Sequence, residues 1–394
     1  MTEPRRIGVV GGSLGGLTAA CLLVGDGHDV TVYERSPRPL EQRGAGIGLL
    51  PATWRYLVER AGVSIDDLSV ETGFIRYLDR SGAVLHESAH RYLFSSWNTV
   101  FRETIASFDA ERYLLGHELT DFACDGDGVT GTFANGKEAR WDLLVAADGI
   151  GSLVRARLQP QAAAHYAGYV AWRGTVPEAD LDRGLVAQLS TAITYHVGSN
   201  SHVLVYPIPN LDGDTRAGSR LINFVWYRNY AAGDALTDLL TDRDGRTRAL
   251  SVPPGAVTDH HVAELRAYAT AHLPSSLATV VTAVDEPFVQ LIQDIAVEQM
   301  VFGRTVLLGD SAFAVRPHAA AGTAKATDDG WQLAAALAAH DHLDDALSAW
   351  EGPQLGLGAD LLRRTQEIGR RSQVENSWVP GDPSLIFGLH EPGN

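Results

Sequence analysis

Three separated stretches of this chain carry residue types and spacings that could do chemistry. The first is RIGVVGGSLGGLTAACLLVGDGHDVTVYER at 6–35. Gly11 would let a strand break sharply into a loop, and Gly16 would let helix and strand pack closely. The free N–H groups of a helix starting near Ser13 and Leu14 would face an anion such as a pyrophosphate. Glu34, about twenty residues on, can accept hydrogen bonds from ribose hydroxyls, with Arg35 beside it. Ser13 stands where this fingerprint expects its second glycine, and serine is still small enough to let phosphates approach. The second stretch is Asp148–Gly149–Ile150–Gly151–Ser152 with Arg155, directly after an apolar run. The third is Gly309–Asp310 followed by SAFAVRPHAAAG at 311–322. Asp310 could bond a polyol or ribose chain, and a helix start after Gly322 carries a positive partial charge suited to a phosphate or an anionic ring edge. A glycine-rich turn occurs in many α/β proteins and an Asp-Gly turn is common, so no stretch decides the matter alone.

The elements that must position these residues follow from periodicity. Arg6–Val10 reads as a buried strand, followed by a helix to about Gly25 and a strand over Asp29–Tyr33. The segment 35–51 reads as a loop, in which Gly44, Gly46 and Gly48 either admit a flat ligand or mark a surface turn. A helix at 52–61, strands at Phe74–Leu78 and Ala83–His86, and a helix starting near Arg102 follow. Next come a hairpin of Phe122–Phe133 with Gly136–Trp141, and an apolar strand Leu143–Ala147. From about 166 to 285 the pattern alternates, over Leu189–Val197, His202–Tyr206 and Arg220–Tyr227. Tyr195, Asn223 and Tyr227 on these strands are either substrate contacts or packed side chains. Helices are expected over Asp234–Asp242, Asp259–His272 and Thr323–Ala339, with a strand at Thr305–Leu308 between the last two. The expected fold class is α/β: a Rossmann-like dinucleotide-binding domain interleaved with a mainly antiparallel sheet, ending in helices.

Composition narrows the partners. The chain has 394 residues, 45% hydrophobic and 20% charged, as in an ordinary globular protein with a large core. A net charge of −16 argues against nucleic acid or an anionic membrane. Of 32 basic residues only Lys137 and Lys325 are lysines, which reads as compositional bias. Two cysteines, Cys21 and Cys124, make no disulfide framework, and no Cys/His spacing suggests a metal. Arg5 and Arg6 before an apolar run look like a signal peptide, but glycines interrupt the run. No apolar stretch reaches the ~18 residues of a membrane span. The expected location is cytoplasmic.

Taken in order, the GxSxxG turn with Glu34, ADGIGSLVR (147–155) and GDSAFAVRPHAAAG (309–322) resemble the single-component FAD-dependent aromatic hydroxylases, the para-hydroxybenzoate hydroxylase-like flavoprotein monooxygenases. YAGYVAWRG (166–174), YPIP (206–209) and RPHAAAG look most similar to the bacterial members that act on 2,6-dihydroxypyridine-like rings. The resemblance implies an FAD-binding domain of 1–73, 98–165 and 285–340, a substrate domain of 74–97 and 166–284, and a C-terminal helical segment of 341–394. It places the ADP half of FAD on the first turn, with Gly11, Ser13, Leu14, Gly16, Glu34 and Arg35. It places Arg102, Asp148 and Gly46 at the cofactor, Asp310 on the ribityl chain, and Pro317, Ala321 and Gly322 at the isoalloxazine. The chain departs from the family pattern at Phe313, Ala320 and Ala324, where histidine, glycine and asparagine are usual. No second strand–GxGxxG–helix unit exists, which matches transient use of NADH or NADPH. The implied reaction joins NAD(P)H, O2 and a small aromatic or N-heteroaromatic substrate through a flavin C4a-hydroperoxide, with water excluded. A substrate proton must leave, and His318 and Tyr206 are the candidate catalytic residues. A homodimer is the candidate assembly. A halogenase would carry WxWxIP, which is missing; a dehydrogenase would explain the first turn only; a non-catalytic flavin redox sensor would show no substrate-dependent NAD(P)H oxidation.

Overall fold

Residues 3–40 and 45–394 are described by the structure, a computed structural model. Gly44 lies outside the described residues. Arg6–Val10 is buried from Ile7 onward, with Asp29–Tyr33 on one side and Leu143–Ala146 on the other, both parallel to it. A strand covered on both faces must be apolar without alternation, which is why RIGVV and LLVA read as continuous runs. The sheet has six strands, in the order Val301–Phe302, Thr305–Leu307, Leu143–Ala146, Arg6–Val10, Asp29–Tyr33, Tyr113–Leu114. Thr305–Leu307, Leu143–Ala146 and Arg6–Val10 are parallel neighbours, so the three chemically suggestive turns leave one edge of the sheet side by side. That edge is where open α/β sheets take their ligands.

The helix Leu14–Gly25 is buried from Leu14 through Leu23, apolar on every side as a core helix must be. It lies against the long helix Gly322–Ala339, and small residues on both allow the approach. A Cβ on Gly15 would sit 2.8 Å from the Cβ of Ala326, and one on Gly330 would sit 3.0 Å from that of Ala19.

A second sheet has nine strands, in the order Ser251–Val252, Phe288–Asp294, His165–Pro177, Leu221–Asn229, Ser201–Ile208, Ala192–Gly198, Val70–Leu78, Val84–Ser96, Gly46–Gly48. All its neighbours are antiparallel except Ala192–Gly198 with Val70–Leu78. One face packs on the helices Asp259–His272 and Ser275–Ala283. The other face, rich in tyrosine, turns toward Ala319–Ala324 and the C-terminal helix Leu343–Gln373. The fold class is the expected one. Among the described residues no helix is long and apolar enough to cross a membrane.

Several element boundaries differ from expectation. Arg102 does not open a helix; the helix is Trp97–Ala106, and the Ser96 hydroxyl caps it by accepting the Thr99 N–H at 2.9 Å. Phe122–Phe133 is not one strand, because the chain reverses at Asp125–Gly128 between Leu119–Cys124 and Val129–Phe133. The 35–51 loop contains the strand Gly46–Gly48, and Ala83–His86 belongs to a strand running on to Ser96. Leu189 closes the helix Arg183–Leu189, capped by Asp182, and so does not share a strand face with Thr191–Val197.

Candidate active site

The three motif turns open onto one cavity of about 510 Å³, which continues to the tyrosine-rich face of the second sheet. At its first end lie Ser13, Leu14 and Gly16. The helix beginning there has no side-chain cap and no acidic residue in its first turn. Its leading N–H groups are therefore left for a ligand. Gly11 shapes the turn from beneath: its φ is +103°, and a Cβ there would overlap the Ala147 carbonyl. Glu34 is buried, and its carboxylate accepts the Gly12 N–H at 3.0 Å and the Ser36 N–H at 2.9 Å. This bonding ties the end of the second strand to the turn and leaves further lone pairs for a ribose. Arg35 beside it is exposed.

In the middle of the cavity stand Ala147, Gly149, Ile150, Gly309 and Asp310. Burial, the largest influence, pushes the Asp310 carboxyl up to about 6, with Lys325 and Arg155 opposing and Asp329 adding to the rise. Asp148 is not on the cavity wall. Its Oδ2 accepts the Leu153 N–H at 2.9 Å, and its buried Oδ1 has no partner. Burial raises its carboxyl as well.

The far end is bounded by Gly46, Gly48, Pro317, Ala320, Gly322 and Thr323 on one side and by strand residues on the other. The helix Gly322–Ala339 starts at Ala321 with no side-chain cap and no acid in its first turn. Ala321 itself is buried behind the wall. The backbone of Gly46–Gly48 is held close: a Cβ on Gly46 would lie 2.7 Å from Asn223, and one on Gly48 2.7 Å from Ala320.

Arg173 reaches in from the sheet, donating to the Gln290 Oε1 at 3.1 Å and to the Gly46 carbonyl at 2.6 Å, while its buried Nε has no partner. Tyr206 and Tyr227 line the same end, with Gln290, Gln293, Phe288 and Phe387. Burial holds the Tyr206 phenol above its ordinary value against the pull of Arg173 and Asn223.

Like Asp148 and Ala321, the expected residues Gly11, Glu34, Arg35, Arg102 and His318 are not on the cavity wall. Arg102 pairs with Glu103 at 3.3 Å and reaches the Leu211 carbonyl at 3.5 Å. His318 is buried one ring behind: its Nε2 is 2.6 Å from the Tyr169 hydroxyl, and its ring packs edge-on to Tyr227 at 4.7 Å. Burial, with His202 and Arg316 nearby, keeps His318 well below the usual histidine range and therefore neutral at pH 7. Arg173, Gln290, Gln293 and Phe387 were not singled out as site residues from the sequence. Arg173 lies inside the quoted YAGYVAWRG run, an arginine in a strand buried on both sides of it, and that oddity was its only signal.

The uncapped helix starts, the glycine-lined passage and the donor set of the far end fit an elongated cofactor with two phosphates and a flat ring. Comparison with known proteins agrees. Residues 9–40 match the NAD(P)-binding Rossmann-like domain, and residues 166–294 match the FAD binding domain-like family. The chain is 36% identical to 2,6-dihydroxypyridine 3-monooxygenase of Paenarthrobacter nicotinovorans, over 98% of this chain and 96% of that one. It is 27% identical to 6-hydroxynicotinate 3-monooxygenase of Pseudomonas fluorescens, again over 98% and 96%. The solved structure of 2,6-dihydroxypyridine-3-hydroxylase from Arthrobacter nicotinovorans superposes with a TM-score of 0.95 at 34% identity, covering 100% of this chain and 99% of the other. This chain belongs to the FAD-dependent monooxygenases that hydroxylate aromatic rings.

Proposed function

We propose that the substrate is a dihydroxylated pyridine, of the 2,6-dihydroxypyridine type, hydroxylated at a ring carbon with NAD(P)H and O2. The observation that carries this reading is the single cavity joining the first helix start to Arg173 and Tyr206. Its far end suits a flat ring with polar edges. Leu204, Val225 and Phe288 offer apolar faces, and Arg173, Tyr206, Gln290 and Gln293 offer hydrogen-bonding groups.

When bound, FAD supplies the redox chemistry, taking electrons from NAD(P)H and activating O2. The chain's own residues bind and orient. Ser13, Leu14 and Gly16 receive the pyrophosphate, Glu34 a ribose, and Asp310 a hydroxyl of the polyol chain. Gly46, Pro317 and Gly322 border the flat ring. The start of the Gly322–Ala339 helix favours negative charge on the ring edge beside it. Arg173 faces a substrate oxygen and favours its deprotonated form, which enriches the ring in electrons. The Tyr206 phenol, kept protonated by burial, donates to a second oxygen rather than acting as a base. His318 works through its neighbours, holding Tyr169 and Tyr227 in place behind the substrate. The leucine, valine and phenylalanine walls exclude water. The two cysteines, buried Cys21 and exposed Cys124, are free thiols, which suits a reducing cytoplasm.

The test is the absorbance spectrum of the purified protein, followed by NADH and NADPH consumption with 2,6-dihydroxypyridine. A yellow protein whose substrate-dependent oxidation inserts one oxygen atom from O2 is expected. A colourless protein that FAD cannot reconstitute, or one with no substrate-dependent oxidation across a panel of hydroxypyridines and phenols, overturns the reading.

A further inference from the structure

The turn that presents Asp310 to the cavity rests on a buried ion pair that the reaction does not otherwise use. Lys325 is 1% exposed and Asp329, one helical turn further along Gly322–Ala339, is fully buried. The Lys325 Nζ lies 2.6 Å from the Asp329 Oδ2, and the same oxygen accepts the Gly309 N–H at 2.8 Å. Gly309 is in the left-handed region at φ +66°, and a Cβ on it would lie 2.9 Å from that of Ala326. The turn is therefore gripped from the helix at two points, one polar and one steric. The ammonium also stands 5.0 Å over the Phe313 ring, in the turn that follows.

Lysine is conspicuous here. In a chain that otherwise answers the need for a cation with arginine, one of only two lysines is sealed in the core. A planar guanidinium would demand several acceptors, whereas a compact ammonium can serve Asp329 and act on Asp310 from the same place.

We propose that Lys325 is a positioning residue for FAD: paired with Asp329, it fixes the Gly309–Asp310 turn and supplies the positive charge that keeps the Asp310 carboxylate ionised toward the cofactor's polyol chain. The proposal rests on the reading above that Asp310 meets that chain. The charged groups around Asp310 are Lys325 and Asp329 from the long helix and Arg155 from the helix Leu153–Leu158; Asp148 in turn faces Arg155. Among them Lys325 exerts a stronger pull than Asp329 exerts a push, so its loss leaves Asp310 more readily protonated.

The experiment is the dissociation constant of FAD, read from recovery of flavin fluorescence on dilution of the full-length holoprotein between pH 5 and 9. Wild type should hold FAD more weakly as pH falls through about 6, the value at which Asp310 takes up its proton. In Lys325→Met, close to isosteric and uncharged, that midpoint should rise by about one pH unit, weakening binding about twofold at pH 7 and about tenfold at pH 5, below both midpoints. Lys325→Arg should retain a midpoint nearer wild type. If Lys325→Met fails to fold, Lys325→Met with Asp329→Asn removes both charges and still keeps an oxygen for the Gly309 N–H. Its midpoint should also rise, by less. Asp310→Asn should abolish the pH-dependent part altogether. A folded Lys325→Met, or the folded double variant, with the wild-type midpoint and affinity overturns the proposal while leaving Asp310 in its role. An Asp310→Asn protein that binds FAD as wild type does at every pH overturns the role of Asp310 itself.

Discussion

The two ends of the cavity are built in different ways. At the first end, backbone meets backbone: a Cβ on Gly11 or Gly16 would overlap carbonyl oxygens, and the helix Leu14–Gly25 sits on Ala326 through Gly15. At the far end, side chains meet across a sheet. Arg173, Tyr206, Tyr227 and Gln290 come from four strands, and their relation depends on cross-strand register. The first arrangement tolerates almost no added atom but needs few particular side chains. The second needs particular side chains, and close backbone approach there is found at Gly46 and Gly48. Cofactor retention should therefore be fragile to added volume at one end, and substrate selection fragile to lost polar groups at the other.

The sharpest way to break this contrast is Gly11→Ala. The substitution forces an alanine into φ near +103° and drives its Cβ into the Ala147 carbonyl. A loss of about 3 kcal/mol or more of folding stability is expected, with loss of bound flavin. Urea denaturation and flavin content of the purified variant measure both. At the other end, Arg173→Met should leave flavin content intact while lowering kcat/KM for the ring substrate about 100-fold. That is the effect of removing a charge-assisted contact of some 1.5–3 kcal/mol. If Arg173→Met loses flavin instead, or Gly11→Ala keeps it, the two ends do not divide their labour in this way.

The same contrast explains what could be read from the sequence. Strand, glycine turn, helix and Glu34 were legible because each follows from local chemistry within about thirty residues. Asp148 and Asp310 were legible as carboxylates at strand ends; the sheet order sets their turns side by side, but only Asp310 reaches the cavity, while Asp148 accepts the Leu153 N–H. Arg173 was not legible as a ligand group, since its partner Gln290 lies 117 residues away and its register comes from pairing Arg173 with Phe288. Two misplaced boundaries did carry signals. Ser96 before the helix Trp97–Ala106 is a good N-cap, and the Asp-Gly-Asp-Gly run at 125–128 is a turn.

Asp310 joins the two regimes, because it serves the cofactor at a cost to the fold. Its carboxyl is raised from 3.8 to about 6 by burial, so the folded flavin-free chain binds that proton more tightly than the unfolded chain does. Stability of the flavin-free protein should fall as pH rises from about 4 to 6, and the whole penalty should be present above that window. Asp310→Asn removes the titration, so the flavin-free variant should be more stable than wild type at pH 7 by about 1–3 kcal/mol, with no advantage near pH 3.5. Denaturant unfolding of both flavin-free proteins at the two pH values checks the sign. A variant less stable than wild type at pH 7 would mean that the carboxylate is well paired in the folded chain.

The smallest effect is expected at Ser13, the one departure from the glycine fingerprint. Its φ of −78° and ψ of −176° are extended values that any residue adopts, and its hydroxyl makes no capping bond to the helix. Only smallness is then required of the position, so that the helix start stays open to phosphate. Ser13→Gly should change stability by no more than about 0.5 kcal/mol, as helix caps that exchange serine for glycine do, and FAD affinity by about twofold at most. A tenfold loss of FAD affinity in that variant would show that the hydroxyl is itself a phosphate donor, which would make this end of the cavity depend on a side chain after all.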